Sequence, residues 1–187
     1  MSKEISPRQR VTLASDWLEG CAGCHMSLLD MDERIIELVQ MGLVLTATPI
    51  TDLKIPAFDT DLGVIEGAVA TDHQLEVAKL YRERCKVLVA LGDCAVFGGI
   101  NAMRNWIPIE ELLRRGYVTT ETTVDGKIPK GPGIGTHLPR CMALNEVVKV
   151  DFFIPGCPPS ADAIYQVLKD VLEGKTPKLE GKLLSYE

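Results

Sequence analysis

Six cysteines are the residues of this 187-residue chain that are best suited to chemistry. Cys21 and Cys24 form a Cys-x-x-Cys pair, and the other four stand singly at Cys85, Cys94, Cys141 and Cys157. Structural disulfides belong to oxidising compartments, and the first ten residues, MSKEISPRQR, lack the apolar stretch of a secretory signal. We therefore expect a cytoplasmic protein whose cysteines bind a metal or take part in redox chemistry.

The composition argues against two classes of partner. A net charge of −6 and a sequence pI near 5.2 do not fit nucleic-acid binding, which needs a clustered basic face. No apolar run approaches the roughly 18 residues of a membrane-spanning helix. We expect neither nucleic acid nor a membrane as a partner.

Short apolar runs alternate with helical patterns along the chain, which is typical of βαβ units and a parallel sheet. Strands are predicted near residues 11–15, 43–47, 62–69, 86–91 and 150–154. Helices are predicted near residues 25–41, 71–84, 108–116 and 160–174. The pattern predicts an α/β protein with a flavodoxin-like, doubly wound parallel sheet of about five strands. We expect a single domain over residues 1–187, with a long irregular loop at 117–149.

This layout predicts that four of the thiols meet. Cys21 and Cys24 follow the first strand, Cys94 follows the strand that ends at Leu91, and Cys157 follows the last strand. The carboxyl ends of parallel strands lie at one edge of the sheet, where α/β proteins bind their ligands.

The other two cysteines are expected elsewhere. Cys85 precedes its strand and should lie at the opposite edge of the sheet. Cys141 falls in the irregular segment, and a buried, inert thiol is the default interpretation there.

A [4Fe–4S] cluster is the group that best suits four thiols brought together from distant segments. A structural four-cysteine zinc site normally uses two Cys-x-x-Cys pairs, and a redox-active pair would leave Cys94 and Cys157 without a role. Glycines next to the cysteines allow close backbone approach to sulfur; they are Gly20, Gly23, Gly92, Gly98, Gly99 and Gly156.

Two other hypotheses stay open. One is a zinc-stabilised binding module without redox activity. The other is a flavodoxin-like flavoprotein with incidental cysteines. FMN is less favoured, because the cysteine pair occupies the loop that would hold its phosphate. The visible spectrum of anaerobically purified protein distinguishes the hypotheses.

Three segments resemble the cluster-binding motifs of [NiFe]-hydrogenase small subunits: CAGCHMSLLD at 21–30, LGDCAVFGGI at 91–100 and VDFFIPGCPPSADAI at 150–164. The resemblance extends from Trp17 to about Leu172 and is strongest to the short small subunits of NAD-reducing hydrogenases. It implies one [4Fe–4S] cluster, proximal to a Ni–Fe site on a separate large subunit. Matched position by position, the implied cluster ligands are Cys21, Cys24, Cys94 and Cys157.

The resemblance also implies partners. Small subunits of uptake hydrogenases have a further domain for two more clusters and a twin-arginine signal, and neither is seen in this sequence. The single cluster is then expected to pass electrons to a diaphorase module of iron–sulfur and flavin subunits. The whole would be a hydrogen:NAD⁺ oxidoreductase of which this subunit is not catalytic alone. A cluster subunit of a complex I-like quinone/NADH oxidoreductase is the alternative; such subunits have adjacent cysteines in the first motif, whereas Ala22 and Gly23 separate them here.

Three polar residues near the motifs have open roles. Glu19 is a candidate for proton transfer or for the large-subunit interface, and an ordinary loop carboxylate is an equally good interpretation. Glu66, in IEGAV, matches a family motif without an assigned chemistry. His25 could donate to a cluster sulfur, but we interpret it as a polar residue at the start of a helix.

Overall fold

The structure is a computed structural model that describes residues 10–184. The strands are β1 Val11–Trp17, β2 Leu43–Leu45, β3 Thr60–Glu66, β4 Val69–Thr71, β5 Cys85–Leu91, β6 His137–Met142 and β7 Phe152–Ile154. The α-helices are α1 Gly23–Leu29, α2 Arg34–Met41, α3 Asp72–Arg84, α4 Gly92–Phe97, α5 Ile109–Tyr117 and α6 Ala161–Leu172. The interpretation of the N-terminal sequence as lacking a signal rests mainly on residues 1–9, which lie outside the described residues.

Five parallel strands form the main sheet, in the order β2-β1-β3-β5-β7. Counted within the sheet, this is the flavodoxin-like order 2-1-3-4-5. The predicted fold class is confirmed. Strands β4 and β6 form a separate antiparallel pair beside it.

Both faces of the main sheet are buried. Successive side chains of a strand point to opposite faces, so neighbouring residues of one strand belong to different cores. Leu13 of β1 packs in a core with Leu38 of α2 and Ile164 of α6. Its neighbour Ala14 packs in a second core with Tyr81 of α3. This two-sided burial explains why the strands are continuous apolar runs rather than alternating ones.

Two predicted elements differ from the observed ones. The helix predicted over 25–41 is two helices, because Asp32 in the intervening turn has a positive φ of 50°. The strand predicted over 62–69 ends at Glu66, since Gly67 turns the chain with φ 87° and β4 then joins the other sheet.

The sequence predicted an irregular loop over residues 117–149, but part of this segment is regular. It contains β6 and a short 3₁₀ helix at Leu144–Glu146. Strand β6 includes Pro139 and Arg140 and lacks a clear alternation, and its partner β4 lies far away in the sequence. Within the described residues, no helix combines the length and the apolar character needed to cross a membrane.

Candidate iron–sulfur site

Four cysteines line one small cavity at the carboxyl edge of the main sheet. Cys21, Cys24, Cys94 and Cys157 surround a space of about 60 Å³. The segments that follow β1, β5 and β7 supply them, and Glu66 at the end of β3 also lines the space. The structure thus brings together the four thiols that the strand order predicted to meet.

The first two cysteines are positioned by a tight turn after β1. Ala22 has a positive φ of 63°, and α1 begins directly after it, so that Cys24 lies in the first turn of this helix. Gly92, with φ 80°, allows the Cys24 sulfur to approach, because a Cβ atom at Gly92 would lie only 2.2 Å from Cys24 Sγ. The glycine noted in the sequence therefore has a specific steric role.

The loops of the other two cysteines are tied together by a reciprocal pair of hydrogen bonds. The backbone N–H of Asp93 donates to the carbonyl oxygen of Gly156 over 2.8 Å. The N–H of Gly156 donates in return to Asp93 Oδ1, also over 2.8 Å. Since Cys94 and Cys157 directly follow Asp93 and Gly156 in the chain, these bonds hold the two cysteine backbones close together.

Further contacts hold the first loop against its neighbours. Glu19 and Ala68 exchange two backbone hydrogen bonds of 2.9 and 2.8 Å, which join the loops after β1 and β3. The Ser27 hydroxyl in α1 donates to the Pro159 carbonyl oxygen beyond Cys157. All of the segments that line the cavity are therefore connected to one another.

The cavity disfavours charge on the thiols. Burial raises the pKa of Cys24 well above its ordinary value, and Glu66 and the other three thiols raise it further. Burial also raises the pKa of Cys94, and Cys157 and Cys21 add to the rise. Thiolates crowded at this site need a cationic group to balance them, and its binding would release protons.

Glu66 and His25 form a buried pair that sequence reasoning missed. Glu66 is only 2% exposed, and its Oε2 accepts from the backbone N–H of His25 over 2.6 Å. The same oxygen lies 2.5 Å from His25 Nδ1, while Nε2 lies 3.0 Å from the Ser15 hydroxyl. An Nδ1–H of His25 that donates to this carboxyl oxygen fits the geometry. The available signal was a carboxylate at the end of an otherwise apolar, buried strand.

Glu19 is held by the protein rather than left free in its loop. Its side chain accepts from Gln74 Nε2 over 3.1 Å, and its carbonyl oxygen accepts from Asn101 Nδ2 over 2.6 Å. Glu19 is half-buried. These contacts make it part of the framework around the first loop, and the role in proton transfer stays a prediction.

The other two cysteines lie away from the cavity. Cys85 is the first residue of β5, at the opposite edge of the sheet, and burial raises its pKa to about 11. Cys141 is buried in β6 against Ala68 and Ala70, and burial raises its pKa as well. The edge position of Cys85 and the burial of Cys141 both match what the sequence predicted.

The donor set fits a group larger than one ion. Within residues 10–184, no three side chains of the types His, Cys, Asp and Glu are close enough together to hold a single metal ion. Around a single zinc, four thiolates at about 2.3 Å from the metal would have to lie within about 4 Å of one another. Four thiols spread around a cavity suit the corners of a cubic cluster better.

A family model described as NADH ubiquinone oxidoreductase, 20 Kd subunit, matches residues 21–171, which include all four of these cysteines. The chain belongs to this family. Among curated proteins, the chain is similar to the delta subunit of the NAD-reducing hydrogenase HoxS from Cupriavidus necator. That protein is 37% identical over 181 residues, covering 95% of this chain and 86% of its own length.

A second curated relative is longer than this chain. It is a subunit of the F420-non-reducing hydrogenase from Methanothermobacter marburgensis, and it is 33% identical over 175 residues. The match covers 91% of this chain and 56% of that protein. This chain therefore spans about half the length of such relatives.

Two solved structures resemble the chain to different degrees. A chain of the "NAD+-reducing [NiFe]-hydrogenase in the H2-reduced state" superposes with a TM-score of 0.91 at 34% identity, covering 96% of this chain and all of that one. A [NiFeSe] hydrogenase chain from Dm. baculatum shares only the fold, with a TM-score of 0.54 at 17% identity. The resemblance to a small subunit of NAD-reducing [NiFe] hydrogenase is confirmed, and the chain is homologous to a subunit of an oxidoreductase.

Proposed function

We propose that this chain is the electron-transfer small subunit of a NAD-reducing [NiFe] hydrogenase and that it holds one [4Fe–4S] cluster. Its ligands are Cys21, Cys24, Cys94 and Cys157. The observation that carries the proposal is the meeting of these four thiols around one cavity at the carboxyl edge of the sheet. The likeness to the HoxS delta subunit supports the hydrogenase context.

The chain's own residues have three tasks in this function. The four thiols bind the iron, and the hydrogen bonds between Asp93 and Gly156 hold two of them at a fixed spacing. Glu66 holds the start of α1 through the His25 N–H and so positions Cys24. When bound, the cluster supplies one-electron transfer.

The proposed complex has two kinds of partner. A large subunit carries the Ni–Fe site, and a diaphorase module of iron–sulfur and flavin subunits exchanges electrons with NAD. Because NAD is a cytoplasmic compound, we place the complex in the cytoplasm. The cluster-binding domain comprises residues 1–187. Alone, the chain is not a catalyst.

A complex I-like quinone/NADH oxidoreductase is the second candidate, and the match to the 20 Kd subunit family favours it. The two residues between Cys21 and Cys24 weigh against it, because the quinone-reductase motif has adjacent cysteines. A zinc module and a flavoprotein remain the weaker alternatives. A cavity of about 60 Å³ cannot enclose a flavin ring.

The test is a metal and sulfide analysis of anaerobically purified protein. We expect about four irons and four sulfides per chain, with a broad brown absorption. Stoichiometric zinc with negligible iron would refute the cluster, and structured yellow bands would indicate a flavin. Assays of hydrogen-dependent reduction of NAD and of quinone with the native partners then separate the two oxidoreductase candidates.

A further inference from the structure

Helix α1 begins without a capping side chain of its own. Its N-cap residue is Ala22, whose methyl group cannot accept a hydrogen bond. The N–H groups in the first turn of a helix have no partner within the helix. One of them, the backbone N–H of His25, donates to Glu66 Oε2 over 2.6 Å. A residue at the end of β3 therefore caps this helix.

The imidazole ring of His25 is bound to the same carboxyl oxygen. Nδ1 lies 2.5 Å from Glu66 Oε2, and Nε2 lies 3.0 Å from the Ser15 hydroxyl oxygen. The ring also makes a T-shaped contact with Trp17, with 5.5 Å between the ring centroids. Because both nitrogens are engaged within the protein, the ring cannot turn toward the cavity without losing these contacts.

The two residues that hold His25 are themselves fixed. Ser15 and Glu66 are only 4% and 2% exposed. They belong to β1 and β3, which are neighbours in the main sheet. The Tyr81 hydroxyl donates to the Ser15 carbonyl oxygen over 2.8 Å. The position of His25 is therefore determined by the buried centre of the fold.

This arrangement keeps two donors away from a proposed cluster ligand. His25 directly follows Cys24 in the chain, and Glu66 lines the cavity together with Cys24. The backbone N–H and a ring N–H are the donors with which His25 could bind a cluster sulfur. Both nitrogens lie at hydrogen-bonding distance from Glu66 Oε2 instead.

The Cys94 side of the cavity has the opposite arrangement. There the Ile100 N–H donates a hydrogen bond to the Cys94 sulfur, and a Cβ atom at Gly99 would lie 2.9 Å from that sulfur. The chain thus provides a backbone donor to Cys94 and withholds two donors from Cys24. Hydrogen bonds to the sulfurs favour the reduced cluster, which carries more negative charge, and so raise its reduction potential.

We propose that Glu66 is a positioning residue that lowers the reduction potential of the cluster by keeping the N–H donors of His25 away from Cys24; this inference rests on the proposed function. Ser15 assists by holding the other side of the imidazole ring. A low potential suits a cluster that carries electrons between hydrogen and NAD, because both are strongly reducing couples.

The test is a redox titration of the full, iron-loaded chain at one pH, followed by the EPR signal of the reduced cluster. Glu66→Leu removes the acceptor, and Glu66→Asp keeps the carboxyl group but withdraws it from His25 by one CH₂ group. We expect each to raise the equilibrium constant for reduction at least tenfold, which is about 59 mV for a one-electron couple. Glu111→Leu is the control, because it removes an exposed carboxylate in α5 and should keep the wild-type potential.

Pulsed EPR of the reduced cluster detects the donors directly. Of the chain's three histidines, His25 alone adjoins a proposed ligand, so ¹⁵N-histidine labels the donors in question. The ¹⁵N-isoleucine protein is the positive control, because the Ile100 N–H donates to the Cys94 sulfur. In the wild type, the histidine coupling should be weaker than the isoleucine coupling. In Glu66→Leu, it should rise to a similar size.

Three results would overturn the inference. The first is a change of less than tenfold in both Glu66 variants. The second is a tenfold change in Glu66→Leu alone, which would assign the effect to the carboxyl charge. The third is a wild-type histidine coupling equal to the isoleucine coupling, a measurement that needs no variant. A wild-type chain that binds no iron would instead refute the proposed function, and this inference with it.

Discussion

Asp93 and Gly156 form two hydrogen bonds with each other across the carboxyl ends of β5 and β7, and each residue donates one of them through its backbone N–H. The side chain of Asp93 is the acceptor in one of the two bonds, so this half of the pair can be removed by substitution. Asp93→Ala should loosen the loop of Cys157 and speed loss of iron to a chelator by about tenfold or more. Asp93→Asn retains an Oδ1 acceptor and is the control, with a rate near that of the wild type. Equal rates in all three proteins would show that the pair does not stabilise the site.

Gly92 is a second position where a small change should have a large effect. Gly92→Ala places a Cβ atom 2.2 Å from Cys24 Sγ in a backbone with positive φ, so we expect it to lose most of its iron. Gly116→Ala is the control, because its Cβ would meet no heavy atom of the described chain within 4 Å. Gly116 lies in α5, where Ala is favoured by about 0.5–1 kcal/mol. Normal iron content in Gly92→Ala would contradict the proposed position of Cys24.

Cys94 and Cys141 test the choice of the third ligand. Cys94 lines the cavity, whereas Cys141 is buried against Ala68 and Ala70. Cys94→Ala should lose the cluster or retain only a three-iron form, and Cys141→Ala should keep a normal EPR signal in the reduced state. The reverse outcome would assign the ligand to Cys141.

Asp151 should make stability depend on pH. Burial would raise its pKa, but the Leu88 N–H and Arg82 outweigh this and hold the pKa below the usual value. A lowered pKa means that the carboxylate stabilises the fold above about pH 5 and loses this effect as the pH falls below about 4. Asp151→Asn should therefore lower the free energy of unfolding by about 1–3 kcal/mol at pH 7.

Urea unfolding at pH 7, 4 and 2.5 measures this effect, and the difference from the wild type should be full at pH 7 and shrink below about pH 4. Asp162→Asn is the control, because its ion pair with Arg34 is exposed. Such pairs contribute about 0–1 kcal/mol. A difference for Asp151→Asn that is constant over this range would show that its carboxylate charge is not the cause.

Local sequence signals predicted the sheet and the meeting of the four thiols. The apolar runs around Leu13 and Val89 are strong because they are buried on both sides, and the positions of the cysteines follow from where these strands end. The β4–β6 pair was missed because its partners are distant in sequence and β6 lacks an alternating pattern. The pairing of Glu66 with His25 was missed for the same reason, since nothing within either motif specifies the other.

The 3₁₀ helix Gly99–Trp106 shows a different limit of sequence patterns. Such patterns assign apolar residues to the interior, and this helix departs from that rule. Ile100, Met103 and Trp106 would be assigned inward by such a rule, whereas Asn101 and Arg104 are the residues that bind the protein. Only the hydrogen bonds of the polar side reveal the orientation.

The positions of the cysteines along the chain also determine when the site can form during synthesis. Cys21 follows the first strand to be made and Cys157 the last, so the ends of β1 and β7 must both be in place before four thiols can face one cavity. A nascent chain that still lacks β7 should consequently bind no intact cluster, and a chain truncated before Phe152 should purify without iron. Cofactor insertion would then act as a checkpoint for completed folding, because only a finished sheet presents a full set of ligands to the assembly machinery.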